Sequence, residues 1–249
     1  MKKTMSFLLA LGILLSLAAC SEAPAGQIPA TLSTDHRAIE ELLETTPEKE
    51  QMEQPQHSDD AGGSNILIAY FTWADNTVVD DPGSVDADAT TSASVLAPGN
   101  AAKLASWIQQ EVGGDLHSIV VGEPYSSDYD ECLDRAADEK AENARPALAS
   151  HVDNMEEYDI VFLGFPNWWY TLPMPVLTFV EEYEWSGKTV VPFVTHGTGG
   201  LSSTIRDLTA ALPEDVTILE SIGVYRPEVD DSRSAVQEWI DNLNIDFSH

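Results

Sequence analysis

Cysteine and basic residues are scarce in this chain. Only two of its 249 residues are cysteines, Cys20 and Cys132, and its six histidines show no metal-ligand spacing, so no metal site is predicted. Twelve lysines and arginines stand against 42 aspartates and glutamates, and the net charge at pH 7 is −30. A surface this acidic repels nucleic acid at long range, so we do not expect nucleic acid as a partner.

Several familiar catalytic and nucleotide-binding motifs are also missing. The chain has no Gly-x-Ser-x-Gly, and no Gly-x-Gly-x-x-Gly follows the first predicted strand. Gly187-Lys188-Thr189 is not a P-loop, because Glu182 stands where that pattern requires glycine and a strand follows instead of a helix. These absences argue against a serine hydrolase and a P-loop nucleotidase, and no catalytic side chain is predicted.

The N-terminus has the pattern of a secretory signal. Lys2 and Lys3 precede an apolar segment at residues 7–19, which is too short to span a membrane comfortably. Its ending, Leu17-Ala18-Ala19-Cys20, resembles the bacterial lipobox, which implies a signal peptide at residues 1–19 and a lipid on Cys20. We therefore expect the chain outside the cytoplasm, anchored to the cell membrane by that lipid alone. An ordinary signal with an incidental cysteine is the alternative.

A polar, acidic stretch separates this signal from the apolar part of the chain. Residues 20–64 are rich in Ala, Pro, Gln and Ser and hold too little apolar surface for a core, so we predict a flexible tether there. Residues 65–249 have the right length for a single domain. Within it, residues 78–98 have no clear periodicity and are predicted to be an insertion.

Strand-like and helix-like segments alternate five times in the predicted domain. The predicted strands are residues 65–71, 116–121, 159–164, 189–194 and 216–224. This alternation predicts an α/β fold with a parallel sheet. The first, third and fourth strands are uniformly apolar and belong in the centre, whereas the second and fifth carry polar residues and belong at the edges. We therefore predict a three-layer sandwich with strand order 2-1-3-4-5 and helices on both faces.

One loop is unusually aromatic. Residues 164–173 follow the third strand and contain Trp168, Trp169 and Tyr170 between two prolines, Pro166 and Pro173. Three adjacent aromatic side chains are costly to leave in water, and the prolines restrict the shape of the loop. The loop is either a hinge packed on the core of the domain or a platform for a flat ligand. The predicted topology favours the platform, because it places the loop at the crevice beyond the carboxyl ends of the strands.

Two further loops leave the same edge of the predicted sheet. Residues 72–77 follow the first strand, and residues 195–200 follow the fourth strand with three glycines. Neither these two loops nor the aromatic loop contains a lysine or an arginine. A phosphate bound here would therefore be held by hydroxyl groups, backbone N–H groups and a helix N-terminus.

From residue 65 to residue 243 the chain resembles the flavodoxin family, specifically a subgroup with two tryptophans after the third strand. The matching segments are residues 68–72 with Asn76-Thr77, residues 164–169, Pro173, residues 175–179, 186–193 and 195–200. The resemblance implies a flavodoxin-like fold and non-covalent binding of FMN. The phosphate would lie at Thr72, Asn76 and Thr77. The flavin ring would lie between one set of residues, Pro166, Asn167, Trp168 and Trp169, and another, Thr195, His196, Gly197 and Gly200.

Three features depart from the family pattern. Asp75 would repel a phosphate unless its side chain points away, and the insertion separates the first loop from its helix. Thr90, Thr91, Ser92, Ser94 or Asn100 could therefore complete the phosphate site. His196 stands where a small polar residue is more common, and it would either donate a hydrogen bond to the flavin or face solvent.

The resemblance implies electron transfer to an unidentified redox protein or a small quinone-type acceptor. An NAD(P)H-dependent flavin or quinone oxidoreductase is the alternative enzyme, although the absence of an arginine in the loops counts against NADPH. A flavodoxin-like binding module that has lost FMN is the third possibility. The many carboxylates predict a low potential for bound FMN, because they would disfavour a negatively charged reduced flavin. Because Trp168 and Trp169 are adjacent, we expect one to face the flavin and the other to seal the core.

Overall fold

The computed structural model describes residues 65–91, 94–245 and 247. The expected signal peptide, the lipidation of Cys20 and the tether at residues 20–64 lie outside the described residues and stay predictions. Within the described ranges, no helix combines the length and the apolar character that crossing a bilayer would need.

The described chain alternates strands and helices, as the sequence predicts. The strands are β1 (Ile66–Tyr70), β2 (Asp115–Ser118), β3 (Ile160–Pro166), β4 (Thr189–His196), β5 (Thr217–Ile218) and β6 (Ile222–Tyr225). The helices are α1 (Ala87–Thr91), α2 (Asn100–Val112), α3 (Tyr129–Ala141), α4 (Met174–Glu182), α5 (Thr204–Ala211) and α6 (Arg233–Asn242). All strand pairs are parallel, and the sheet order is β2-β1-β3-β4-β5 with β6 also paired to β4. The predicted α/β fold and strand order are confirmed.

The fifth position of the sheet is interrupted. The segment predicted as one strand forms β5 and β6, both paired with β4. Between them the carbonyl of Glu220 accepts a hydrogen bond from Trp239 Nε1 at 2.9 Å, so this carbonyl is taken by a helix side chain. Pairing then resumes until His196 of β4 lies opposite Tyr225. Despite the interruption, the pairing of β6 with β4 therefore places the next residue, Arg226, at the carboxyl edge of the sheet.

Alternate side chains of the central strands enter two separate cores. On one face, Leu67, Val161 and Leu163 pack with residues of α3, α4 and α5. On the other face, Ile68, Phe162 and Phe193 pack with residues of α2 and α6. Each fully buried side chain of this size contributes about 1.5–3 kcal/mol relative to exposure. The strands are buried on both faces, which explains why their sequences are almost wholly apolar.

Helix α2 begins at the carboxyl edge of the sheet and crosses one face of it. One face of this helix is buried and consists of Ala101, Leu104, Ala105, Ile108 and Val112. The helix ends at Gly113, which has a φ of 73° that glycine adopts without steric cost.

The insertion at residues 78–98 is partly built into the core. Its described part contains α1, and Ala89 and Val95 are 0% and 1% exposed. The Val95 amide donates to the Ala89 carbonyl at 3.1 Å. These contacts fix the end of the insertion against the sheet and bring Ser94 to the N-terminus of α2.

Candidate functional site

A cavity of about 290 Å³ opens at the carboxyl edge of the sheet. The loops after β1, β3 and β4 all contribute to it, as expected for a topological switch point. Its lining is Thr72, Trp73, Ser94, Asn100, Ala101, Tyr129, Cys132, Leu133, Ala136, residues 166–170, residues 195–200 and Arg226. The volume lies near the lower end of the roughly 300–1,000 Å³ that is usual for small-molecule sites.

A polar corner forms where the β1 loop meets the start of α2. Thr72 is 3% exposed and borders the cavity beside Ser94 and Asn100. A Cβ atom on Gly99 would lie 1.7 Å from Thr72 Oγ1, so glycine alone allows this approach. The Asn100 amide donates to Ser94 Oγ at 2.9 Å, and no side chain caps α2 at Gly99. Hydroxyl groups and a helix N-terminus in one corner suit an anionic group.

Two residues predicted for the phosphate site do not line this cavity. Asn76 is 1% exposed, and its Nδ2 donates to the Thr72 carbonyl at 2.8 Å while its Oδ1 accepts from the Val121 amide at 2.8 Å. Thr77 Oγ1 donates to the Tyr125 carbonyl at 2.8 Å. Both side chains are engaged in tying the β1 loop to the segment after β2. They hold the loop around Thr72 in place, and their predicted contacts to a phosphate stay predictions.

Asp75 points away from the polar corner. Its Oδ2 accepts a hydrogen bond from Ser118 Oγ at 2.6 Å, at the β2 edge, and Asp75 is not among the cavity-lining residues. Of the residues considered for completing the phosphate site, Ser94 and Asn100 border the cavity and Thr90 does not. Ser92 and the side chain of Thr91 lie outside the described residues. Although Asp75 departs from the family pattern, its carboxylate therefore lies outside the polar corner.

Residues 168–171 form a tight turn, which we call the aromatic turn. Trp168 and Thr171 exchange two backbone hydrogen bonds of 2.9 and 3.0 Å, and the two residues between them have positive φ angles. These angles are 49° at Trp169 and 68° at Tyr170, the pattern of a type I′ turn. Such turns normally carry Asn or Gly, and bulky residues there cost on the order of 1–3 kcal/mol each. The surrounding contacts must stabilise the strained conformation.

The two tryptophans of the turn diverge. Trp168 packs edge-on against Phe71 and Tyr125, with ring centroids 5.4 and 5.3 Å apart. Trp169 is 40% exposed, and its Nε1 donates to the Leu133 carbonyl in α3 at 3.0 Å. Both border the cavity, but only Trp168 joins the core cluster.

Side chains from two helices fix the aromatic turn. Lys140 Nζ of α3 donates to the Trp169 carbonyl at 2.5 Å, and the Ser203 backbone amide donates to the Tyr170 carbonyl at 3.2 Å. Asp207 of α5 accepts from Thr171 Oγ1 at 2.7 Å and from Ser203 Oγ at 2.5 Å. Burial acts to raise the pKa of Asp207, but hydrogen bonds from Ser203, Thr171 and Arg206 outweigh it and lower that pKa.

The β4 loop forms the facing wall. The Asn167 amide donates to the Thr195 carbonyl at 2.7 Å, and Asn167 Nδ2 donates to the Gly200 carbonyl at 2.6 Å. The loops after β3 and β4 are thereby joined into one surface. His196 borders the cavity, and its Nδ1 lies 2.7 Å from the Gly197 carbonyl. Because a carbonyl oxygen can only accept, this contact assigns a proton to Nδ1.

The cavity also has lining residues that the sequence reasoning missed. Tyr129, Cys132, Leu133 and Ala136 come from α3, and Arg226 follows β6. Burial raises the pKa of Cys132 to about 12 and outweighs the lowering effect of Arg135, so this thiol stays protonated at neutral pH. A Cβ on Gly197 would lie 3.2 Å from the Arg226 guanidinium carbon. The position of Arg226 follows from the parallel sheet, because all strands end at one edge and the segment after the last strand therefore also reaches the cavity.

The charge of the cavity wall is opposite to that of the chain. No carboxylate is among the lining residues within the described ranges, whereas the Arg226 guanidinium is. The chain as a whole has a net charge of −30. The cavity is therefore suited to an anionic ligand.

Comparisons with known proteins agree with the fold. The sequence model described as Flavodoxin matches residues 89–243, which leaves β1 and the Thr72 loop outside the match. A candidate flavoprotein from Bacteroides eggerthii is 30% identical with a TM-score of 0.56, and the match covers 74% of this chain and 100% of that one. A second, from Bacteroides uniformis, is 26% identical with a TM-score of 0.53 and coverages of 72% and 99%. No curated protein matches the chain. The family match over most of the domain, together with the parallel sheet of the expected order, establishes that this chain belongs to the flavodoxin family.

Proposed function

We propose that this chain binds FMN non-covalently and functions in electron transfer. The observation that carries the proposal is the aromatic turn, which sets Trp169 on a cavity at the switch point of a flavodoxin-family sheet. FMN, when bound, supplies the electron-accepting chemistry, and the protein sets its orientation and access. The acceptor in this proposal is a redox protein or a small quinone-type molecule.

The residues present fit both ends of FMN. Thr72, Ser94 and Asn100 would hold the phosphate in the polar corner, with Asn76 and Thr77 fixing the loop behind it. The ring would lie between the aromatic turn with Pro166 and Asn167 on one side and residues 195–200 on the other. Both tryptophans border the cavity, but Trp169 is 40% exposed and Trp168 packs on the core, so we assign Trp169 to the ring and Trp168 to the core.

The visible absorption spectrum tests this proposal. We expect the full chain, incubated with FMN and freed of excess by gel filtration, to retain a yellow chromophore at about one FMN per chain. A colourless protein would contradict FMN binding and support the alternative of a binding module without flavin. Parallel incubation with riboflavin separates the contribution of the phosphate, because the polar corner predicts clearly weaker binding without it.

A second candidate function is an NAD(P)H-dependent flavin or quinone oxidoreductase. Arg226 favours this function. The three loops lack an arginine, which counted against NADPH, but Arg226 supplies one on the cavity wall. Steady-state oxidation of NADH and NADPH by the FMN-loaded chain, with a quinone acceptor, separates the two functions. Turnover that saturates with either nucleotide would support the oxidoreductase, and none with both would support the carrier.

We also propose that the chain works outside the cytoplasmic membrane, held by a lipid on Cys20. The Leu-Ala-Ala-Cys sequence and the long polar stretch after it support this location. Labelling of the expressed chain with a radioactive fatty acid, compared with a Cys20→Ser variant, tests it. Label in the Cys20→Ser variant, or none in the wild type, would contradict the proposal.

A further inference from the structure

Arg226 is half-buried and has no partner among the described residues. Every other described arginine donates to a named acceptor: Arg135 to Glu139, Arg145 to Glu181, Arg206 to Asp207 and Arg233 to Gln110. In a chain with 42 carboxylates and 12 basic residues, acceptors are abundant. An unpaired guanidinium on a cavity wall therefore indicates a position built for an anionic or strongly polar ligand group.

The sheet geometry places this guanidinium away from the polar corner. Thr72 follows β1, whereas the Arg226 guanidinium lies beside Gly197, which follows β4. Strand β3 lies between β1 and β4, and adjacent strands are about 4.8 Å apart, so the two positions are separated by about 10 Å. The phosphate and the ring of FMN lie at opposite ends of its ribityl chain. With the phosphate at Thr72, Arg226 faces the ring.

We propose that Arg226 binds the ring end of FMN and favours its reduced, anionic form. This inference rests on the proposed binding of FMN. Uptake of two electrons and one proton converts the neutral oxidised ring into a ring with one negative charge, the electrons coming from an external donor. Arg226 supplies a positive charge at that end, and no carboxylate on the described cavity wall opposes it. Charge close to the ring is a principal means by which a protein tunes a flavin.

A positive charge at Arg226 acts against the low potential of bound FMN that the net charge predicts. The distant carboxylates are screened by solvent and salt, with a Debye length of about 8 Å at physiological ionic strength. A half-buried guanidinium in direct contact is screened much less. The potential of bound FMN is therefore set by Arg226 more than by the acidic surface, and it lies at or above that of free FMN.

The test compares the full-length wild type with three variants. Arg226→Gln removes the charge, and Arg226→Lys keeps it. Arg233→Gln makes the same change on α6, at a residue bonded to Gln110 and outside the cavity. Dissociation constants are measured anaerobically for oxidised FMN, for dithionite-reduced FMN and for riboflavin, with circular dichroism of each variant as the check on folding.

We expect Arg226→Gln to weaken binding of reduced FMN about 10- to 100-fold more than binding of oxidised FMN, and so to lower the midpoint potential. Arg226→Lys should retain most of the difference, and Arg233→Gln should match the wild type. Equal losses in both redox states, with riboflavin unaffected, would overturn the inference and assign Arg226 to the phosphate. No loss in either state would also overturn it. A wild type that binds no FMN would instead refute the proposed function, and with it this inference.

Discussion

Thr171 Oγ1 donates a hydrogen bond to Asp207 Oδ2 at 2.7 Å, joining the aromatic turn to the first turn of α5. The same oxygen accepts from Ser203 Oγ at 2.5 Å. The Ser203 backbone amide donates to the Tyr170 carbonyl at 3.2 Å, so Asp207 and Ser203 together hold the C-terminal half of the strained turn. The aromatic turn, which forms one wall of the cavity, is thus stabilised by α5, a helix that does not itself line the cavity.

Replacing Asp207 should loosen the aromatic turn. Asp207→Asn removes the charge that strengthens hydrogen bonds from Thr171 and Ser203, and we expect the free energy of unfolding to fall by about 1–3 kcal/mol. Urea denaturation measures this change. Glu214→Gln, an exposed neutralisation at the other end of α5, is the matched control and should stay within about 0.5 kcal/mol of the wild type. A loss of similar size in the control would show that the effect is not specific to Asp207.

The contribution of Asp207 should depend on pH. Its pKa is lowered in the folded chain, so its stabilising effect is present above the unfolded pKa of about 3.9 and is lost as pH falls through the folded pKa. The stability difference between wild type and Asp207→Asn should therefore be constant near neutral pH and shrink below about pH 4. Urea midpoints measured across that range test this. A difference that grows on acidification would contradict the sign of the shift.

The two tryptophans should have separable roles. Trp168→Ala removes a ring packed on Phe71 and Tyr125, and we expect it to reduce the free energy of unfolding by about 2–4 kcal/mol. Trp169→Ala should lower the free energy of unfolding less but weaken FMN binding by roughly 10-fold or more. Fluorescence titration with FMN gives the affinities and urea denaturation the stabilities. Equal losses of FMN affinity in the two variants would count against the division.

The polar corner should tolerate no side chain at residue 99. In Gly99→Ala the new Cβ would collide with Thr72 Oγ1, so Thr72 has to move and FMN should bind about 10-fold or more weakly. Riboflavin, which lacks the phosphate, should lose much less. Gly122→Ala is the control, because its Cβ would meet the nearest atom at an ordinary 3.5 Å. Equal losses for FMN and riboflavin would show that the corner does not hold the phosphate.

The fold could be predicted because it depends on patterns that neighbouring residues share. The uniformly apolar sequences of the first, third and fourth predicted strands identified the centre of the sheet. The position of a single polar side chain depends on contacts distant in sequence. Asn76 forms hydrogen bonds to the Val121 amide, and Asp75 to Ser118. No local pattern indicates that these two side chains turn away from the cavity.

The place of Arg226 on the cavity wall is hard to predict from the sequence for a different reason. This residue follows a strand whose sequence is polar and whose pairing is interrupted around Glu220. The register of β6 with β4 is what delivers this residue to the cavity. The expectation that no lysine or arginine meets the phosphate stays a prediction, and Arg226 adds a positive charge to another part of the cavity wall.

The attachment of the aromatic turn has a consequence for the kinetics of binding. Lys140, Ser203 and Asp207 fix the turn within the protein itself, so Trp169 needs no ordering when a ligand arrives. A preorganised wall lowers the entropic cost of association and places differences in affinity mainly in the dissociation rate. Variants that release these attachments should therefore shorten the residence time of the ligand while its rate of capture stays nearly unchanged.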